Sequence, residues 1–147
     1  MRSKATIITI NDHFFVYGGI SSEFIESGFN LEATNQKMRR ALIEDERNQK
    51  WDRIYVKCYN TNAPVWYCGY FSDKFKNDDI KKITKALKVT YIVVGHTSQK
   101  QVESLFKNRI FAVDTSIKNG VSEELLFIEN DNFYCVTMDG QKIKIDK

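Results

Sequence analysis

Val89-Thr90-Tyr91-Ile92-Val93-Val94-Gly95-His96-Thr97-Ser98 is the stretch on which the fold turns. Its first six residues carry no charge and are rich in β-branched side chains. A run of this kind reads as a strand buried on both faces, at the centre of a sheet. Gly95 ends it, and His96 stands immediately beyond. In open α/β sheets ligands bind beyond the carboxyl ends of strands, so an imidazole placed there faces a cleft. Neutral imidazole is also a common metal ligand. His96 is therefore the first candidate site residue. A capped, hydrogen-bonded structural histidine is the plainer alternative.

Working outward, strand-like segments recur at Gln101–Phe106, Arg109–Val113, Glu124–Ile128, Phe133–Met138 and Lys142–Ile145. Turn signals separate them, at Lys107-Asn108, Lys118-Asn119-Gly120, Asn130-Asp131-Asn132 and Asp139-Gly140. Short connections of this kind favour antiparallel pairing. Toward the amino end, Asp78 to Leu87 reads as a helix with Asn77 or Asp78 at its N-cap and Ile80, Ile83 and Leu87 inward. Asn30 to Arg47 is a second helical pattern, with Leu31, Met38, Ala41 and Leu42 on one face. The charged run Glu44-Asp45-Glu46-Arg47-Asn48-Gln49-Lys50 is a solvated helix end. Ala5–Ile10 and Phe14–Tyr17 flank the turn Asn11-Asp12 as a β-hairpin. Gly18-Gly19 then frees the backbone for a tight loop. The expected class is α+β: a mixed, largely antiparallel sheet with about two helices against it.

The chain has 147 residues, 42% hydrophobic and 28% charged, which fits one globular domain over residues 1–147. A net charge of +3 is too small to point to nucleic acid or a membrane surface. No apolar run nears the roughly 18 residues of a membrane span, and the amino end lacks the pattern of a signal peptide. Cys58, Cys68 and Cys135 are odd in number and lack CxxC spacing, which suits free thiols in a reducing, cytoplasmic setting.

Other chemistry has weak support. His13 follows the hairpin turn and reads as an exposed turn residue. The two histidines and three cysteines do not have the paired spacing of a structural zinc site. A Cys68–His96 nucleophilic pair has no spacing argument behind it. The aromatics of Trp51–Phe71 favour core packing over base stacking, because no basic stripe accompanies them.

Four ordered segments carry a family resemblance. Phe14-Phe15-Val16-Tyr17-Gly18-Gly19-Ile20-Ser21 is similar to a strand ending in His-Gly-Gly-Ile/Leu-Ser. Ala63-Pro64-Val65-Trp66-Tyr67-Cys68 is similar to Pro-Leu/Val-Trp-Tyr-Arg, and Val93-Val94-Gly95-His96-Thr97-Ser98-Gln99 to Val-Val-Gly-His-Thr-Pro-Gln. Arg109–Thr115 follows, similar to a strand ending in Ile-Asp-Thr-Gly. Together they resemble the C-terminal half of calcineurin-like metallophosphoesterases of the bacterial serine/threonine-phosphatase type. The resemblance implies the second half of an αββα sandwich and a phosphoester hydrolase working with two divalent metals, Mn, Fe or Zn.

It implies that His96 is a vestigial metal ligand and that Thr97 supports its turn. Tyr17 stands at a His-ligand position, where a phenol is a poor substitute for imidazole. Cys68 stands where an Arg would hold the phosphate, and offers neither its charge nor its fork. The family's earlier Asp-x-His, bridging Asp and Asn-His motifs are missing. The resemblance thus implies an incomplete active site, a chain inactive by itself and no bound cofactor. The alternatives are one half of a split phosphoesterase and a protein-interaction module. Half a sandwich leaves an inner sheet face bare, so a homo-oligomer or a complementing N-terminal half is the expected partner.

Overall fold

A computed structural model describes residues 4–41, 60–120 and 123–146. The charged run 44–50 and the aromatic stretch 51–58, Cys58 included, lie outside the described residues. The architecture is α+β. In chain order it runs β1 (Ile7–Ile10), β2 (His13–Val16), α1 (Ser22–Glu26), α2 (Leu31–Ala41), a 3-10 turn at Gly69–Phe71, and α3 (Asn77–Leu87). It continues with β3 (Tyr91–Val94), β4 (Glu103–Leu105), β5 (Ile110–Ala112), a 3-10 turn at Ile117–Asn119, β6 (Glu124–Glu129), β7 (Asn132–Thr137) and β8 (Lys142–Lys144). About two helices are expected from the sequence, and the described residues hold three. The short α1 has too few turns to show a period. What marks it is Ser21, whose hydroxyl accepts the Phe24 N–H at 3.0 Å as an N-cap.

The strands form two sheets. The larger is mixed, in the order β1-β2-β3-β5-β4, and the smaller is β6-β7-β8. The reading of Val89–Val94 holds: β3 is central and pairs in parallel with β2 and β5. β1 and β4 close the edges antiparallel, and the small sheet is antiparallel throughout. Ile92 and Val94 point to one face with Phe14, Val16, Ile110 and Ala112, under the helices. Val93 points to the other with Phe111, where Phe133 of β7 covers it. Phe111 and Phe133 stack with centroids 4.2 Å apart. The sheet face that half a sandwich would leave bare is thus packed by the chain's own second sheet. Fully burying a side chain of this size stabilises by about 2 kcal/mol, so β3, buried on both faces, anchors the fold.

Helix α3 buries Ile80 and Ile83, with Leu87 partly covered, as its period requires. Its N-cap is Lys76, one residue before the expected Asn77. The Asp79 carboxylate accepts the Lys76 backbone N–H at 2.9 Å. Helix α2 serves the edge strand β1. The Asn35 amide oxygen accepts the N–H groups of Thr6 and Ile7 at 2.9 Å each, and its NH2 donates to the Ile7 carbonyl at 2.7 Å.

His13 is not the exposed turn residue expected. It is 5% exposed, stacked on Tyr91 with centroids 4.8 Å apart, and its Nδ1 lies 2.9 Å from Asp12 Oδ1. Position 13 is the first residue of β2, and the small sheet closes over it. No helix of the described residues is long and apolar enough to cross a membrane.

Candidate functional site

Because β2, β3 and β5 run parallel, their carboxyl ends open on one edge of the sheet. Tyr17-Gly18-Gly19 follows β2, Gly95-His96-Thr97 follows β3, and Val113-Asp114-Thr115 follows β5. Three segments far apart in sequence meet there for a topological reason.

His96 sits on a sharp turn. The Thr97 N–H donates to the Gly95 carbonyl at 2.7 Å, and His96, between them, has φ 63°. A non-glycine residue held in this region costs roughly 1–3 kcal/mol, which persists only when the surroundings impose it. The turn lifts the imidazole off the sheet and sets it between two rings. Tyr17 lies 5.2 Å from it, centroid to centroid, and Trp66 meets it edge-on at 5.5 Å. Both rings are largely open to solvent, Tyr17 at 55% and Trp66 at 47%. The three form an aromatic notch at the mouth of the sheet.

Pro64 brings Trp66 there. Its carbonyl accepts the N–H groups of Gly18 and Gly19 at 2.7 and 3.1 Å, which pulls the Pro64–Trp66 loop against the end of β2. The approach needs a glycine: a Cβ on Gly18 would stand 2.7 Å from the Val65 carbonyl oxygen and 2.9 Å from that of Pro64. Below the notch, the Tyr70 hydroxyl accepts the Ile20 N–H at 2.9 Å and donates to the Ile20 carbonyl at 2.8 Å.

Asp114 ties the β3 and β5 loops together. Its carbonyl accepts the Gln99 N–H at 2.7 Å. One carboxylate oxygen accepts the Ser98 hydroxyl at 3.1 Å and the other the Ser116 N–H at 3.1 Å. Thr97, expected to support the turn, does so through its backbone; its hydroxyl is buried without a hydrogen-bond partner among the described residues.

The structure brings Tyr17 and His96 together and leaves Cys68 aside. Cys68 is an exposed free thiol beyond Trp66, and the rings around His96 belong to Tyr17 and Trp66. Trp66 and Asp114 are site residues that reading the chain segment by segment does not single out. The parallel pairing that places Asp114 and the Pro64 contact with Gly18 and Gly19 that places Trp66 are both long-range properties. A resident pair of divalent ions does not fit the described residues of this edge. They offer one imidazole, a phenol and the Asp114 carboxylate, whose oxygens already accept from Ser98 and Ser116. The group of His, Asp, Glu or Cys donors that does come together among the described residues is Asp12, His13 and Asp131, elsewhere in the fold.

No family model matches the chain. It is 41% identical to a cold-active protein tyrosine phosphatase from a psychrophilic Shewanella species, with a TM-score of 0.93 over 99% of this chain and 44% of that one. A further structure of a cold-active protein tyrosine phosphatase gives 40% identity and the same TM-score, over 99% of this chain and 43% of that one. Among curated proteins, Shewanella-like protein phosphatase 2 of Arabidopsis thaliana is 24% identical over 140 residues, 90% of this chain and 34% of the relative. The chain thus spans less than half the length of these relatives.

These matches correct the assignment made from the motifs. The resemblance to calcineurin-like metallophosphoesterases, and the reading of the chain as an inactive, truncated remnant of one, give way to a likeness to protein phosphatases of the cold-active tyrosine-phosphatase kind. Nothing in the comparisons favours a split phosphoesterase or an interaction module over that likeness. The motif reading rested on short strings around glycines, which report tight turns and close packing before they report a reaction. Tyr17 and Cys68 therefore carry no argument for lost activity.

Proposed function

We propose that this chain is a protein phosphatase acting on phosphotyrosyl groups, with its phosphoester cleft at the carboxyl edge of β2 and β3. The observation that carries the reading is the notch of Tyr17, His96 and Trp66 at the carboxyl edge of β2 and β3. The likeness to tyrosine phosphatases over nearly the whole chain supports it. In this reading the Tyr17 and Trp66 rings flank the phenyl ring of the substrate, a contact worth about 1 kcal/mol beyond area burial. His96 Nε2 or Nδ1 donates a proton to the phenolic oxygen as the P–O bond breaks and water adds to phosphorus, and the proton that water sheds on forming phosphate returns to the imidazole. Asp114 holds the loop that carries the imidazole.

The test is phosphate release from a phosphotyrosyl peptide by the wild-type protein and by His96→Ala. A general acid contributes about 10²–10⁴-fold, so kcat should fall by at least a hundredfold. Equal rates, or no hydrolysis by the wild-type protein, would overturn the reading.

A further inference from the structure

At the opposite end of the sheet from His96, the amino ends of β3 and β5 open into a second cavity, of about 580 Å³. It is lined by Asn77, Lys81, Thr90, Tyr91, Phe106, Lys107 and Arg109. Three of these are cations and none is a carboxylate. Lys81 is balanced by Asp78 at 2.9 Å, on the exposed surface of α3. Arg109 and Lys107 have no ion pair or side-chain hydrogen bond among the described residues.

Arg109 is half-buried. A guanidinium drawn out of bulk water without a counter-charge is costly, and its planar fork matches phosphate oxygens. The loop that presents it is built for position. Phe106, Lys107 and Asn108 have φ values of 53°, 56° and 60°, three consecutive left-handed residues with no glycine among them. Asn108 is buried and locks the loop. Its NH2 donates to the Asp146 carbonyl at 2.8 Å, and its amide oxygen accepts the Ser104 hydroxyl. Lys107 and Arg109, on either side of Asn108, are thereby fixed on the cavity with Lys81. The Tyr91 and Phe106 side chains supply ring surface beside them.

We infer that this cavity binds a phosphate-bearing small molecule, its phosphate groups held by Arg109, Lys107 and Lys81, with Tyr91 and Phe106 open to a ring where the ligand carries one. The site is separate from the notch at His96 and does not depend on the function proposed there. Its ligand chemistry has two sources, a free inorganic polyphosphate and a nucleotide, and the cavity is large enough for either.

The test is calorimetric titration of the 147-residue protein with inorganic pyrophosphate, with a nucleoside diphosphate and with the matching uncharged nucleoside. The expected result is one saturable site for a phosphorylated ligand, weakened at least tenfold in Arg109→Gln and several-fold in Lys107→Gln. The exposed Lys107 variant keeps the test valid should Arg109→Gln unfold. Tighter binding of the nucleotide than of pyrophosphate identifies the nucleotide as the source, and the reverse identifies the inorganic ion. Three results would overturn the inference: no saturable binding, binding unchanged in both variants, or equal binding of the uncharged nucleoside.

Discussion

Tyr17 and His96 are joined through the backbone as well as through their rings. The Gly95 N–H donates to the Tyr17 carbonyl at 2.8 Å, and the two side chains meet with centroids 5.2 Å apart. The last rung between β2 and β3 therefore fixes the geometry of the notch. Disturbing either strand end should disturb both rings.

The turn at His96 makes a prediction that separates strain from chemistry. Glycine tolerates φ 63° and alanine does not, a difference of about 1 kcal/mol. His96→Gly should be more stable than His96→Ala by that amount in urea denaturation, although both lack the imidazole. Equal midpoints would show that the turn relaxes without it.

Gly18 tests the loop that delivers Trp66. In Gly18→Ala the new methyl meets backbone atoms of Pro64 and Val65 at 2.7–2.9 Å, which side-chain motion cannot relieve. Overpacking of this kind costs about 1–3 kcal/mol. Stability should fall by about 2 kcal/mol, and the Trp66 fluorescence should change as the loop moves. A fully native spectrum at wild-type stability would contradict the close approach.

Asn35 and Tyr70 each satisfy buried backbone groups from a distance. Asn35 is 2% exposed and serves Thr6 and Ile7; Tyr70 serves both polar groups of Ile20. Leaving such a group unsatisfied costs about 1–3 kcal/mol. Asn35→Ala and Tyr70→Phe should each lose about 3 kcal/mol. Hydrogen exchange should quicken at Thr6 and Ile7 in the first and at Ile20 in the second. Losses below about 1 kcal/mol would contradict these roles.

Alkaline pH should destabilise the protein. Burial, with the nearby Asp79 charge, pushes the Tyr67 phenol from 10.0 up to about 12. Burial and the Glu124 carboxylate push the Cys135 thiol from 9.0 up to about 11. Tyr70, wholly buried, is raised further still. In each case the unfolded chain loses the proton first. Stability from these groups is complete below about pH 9 and is lost progressively as pH rises toward 12. Urea midpoints measured from pH 8 to 11 should fall, and Tyr67→Phe should flatten the upper part of the curve. A midpoint that holds or rises over that range would contradict the assignment.

The central strand, the inward face of α3 and the role of His96 as a residue beyond a buried strand were legible because each depends on local pattern. Three apolar, β-branched positions in a row before Gly95 leave few readings other than a strand covered on both faces. The burial of His13 was not legible, since β7 covers it from more than a hundred residues away. The positions of Trp66 against His96 and of Asp114 on the loop after it were hidden for the same reason: the Pro64 contact with Gly18 and Gly19, and the parallel pairing of β3 and β5, leave no trace in residue spacing. Helix α1 is too short to carry a period, and its signal is the Ser21 cap alone. The strings around Gly18-Gly19 and Gly95 are set by tight turns and close packing, which different phosphatases share, so they do not mark one family.

The notch at the carboxyl edge is most directly tested by NMR titration of the protein with phosphotyrosine, with phosphoserine as the comparison. Phosphotyrosine should move the Trp66 indole, Tyr17 and His96 imidazole signals together and saturably, and phosphoserine should move them far less. Phosphotyrosine leaving those three signals in place, or shifting a different surface, would contradict the account.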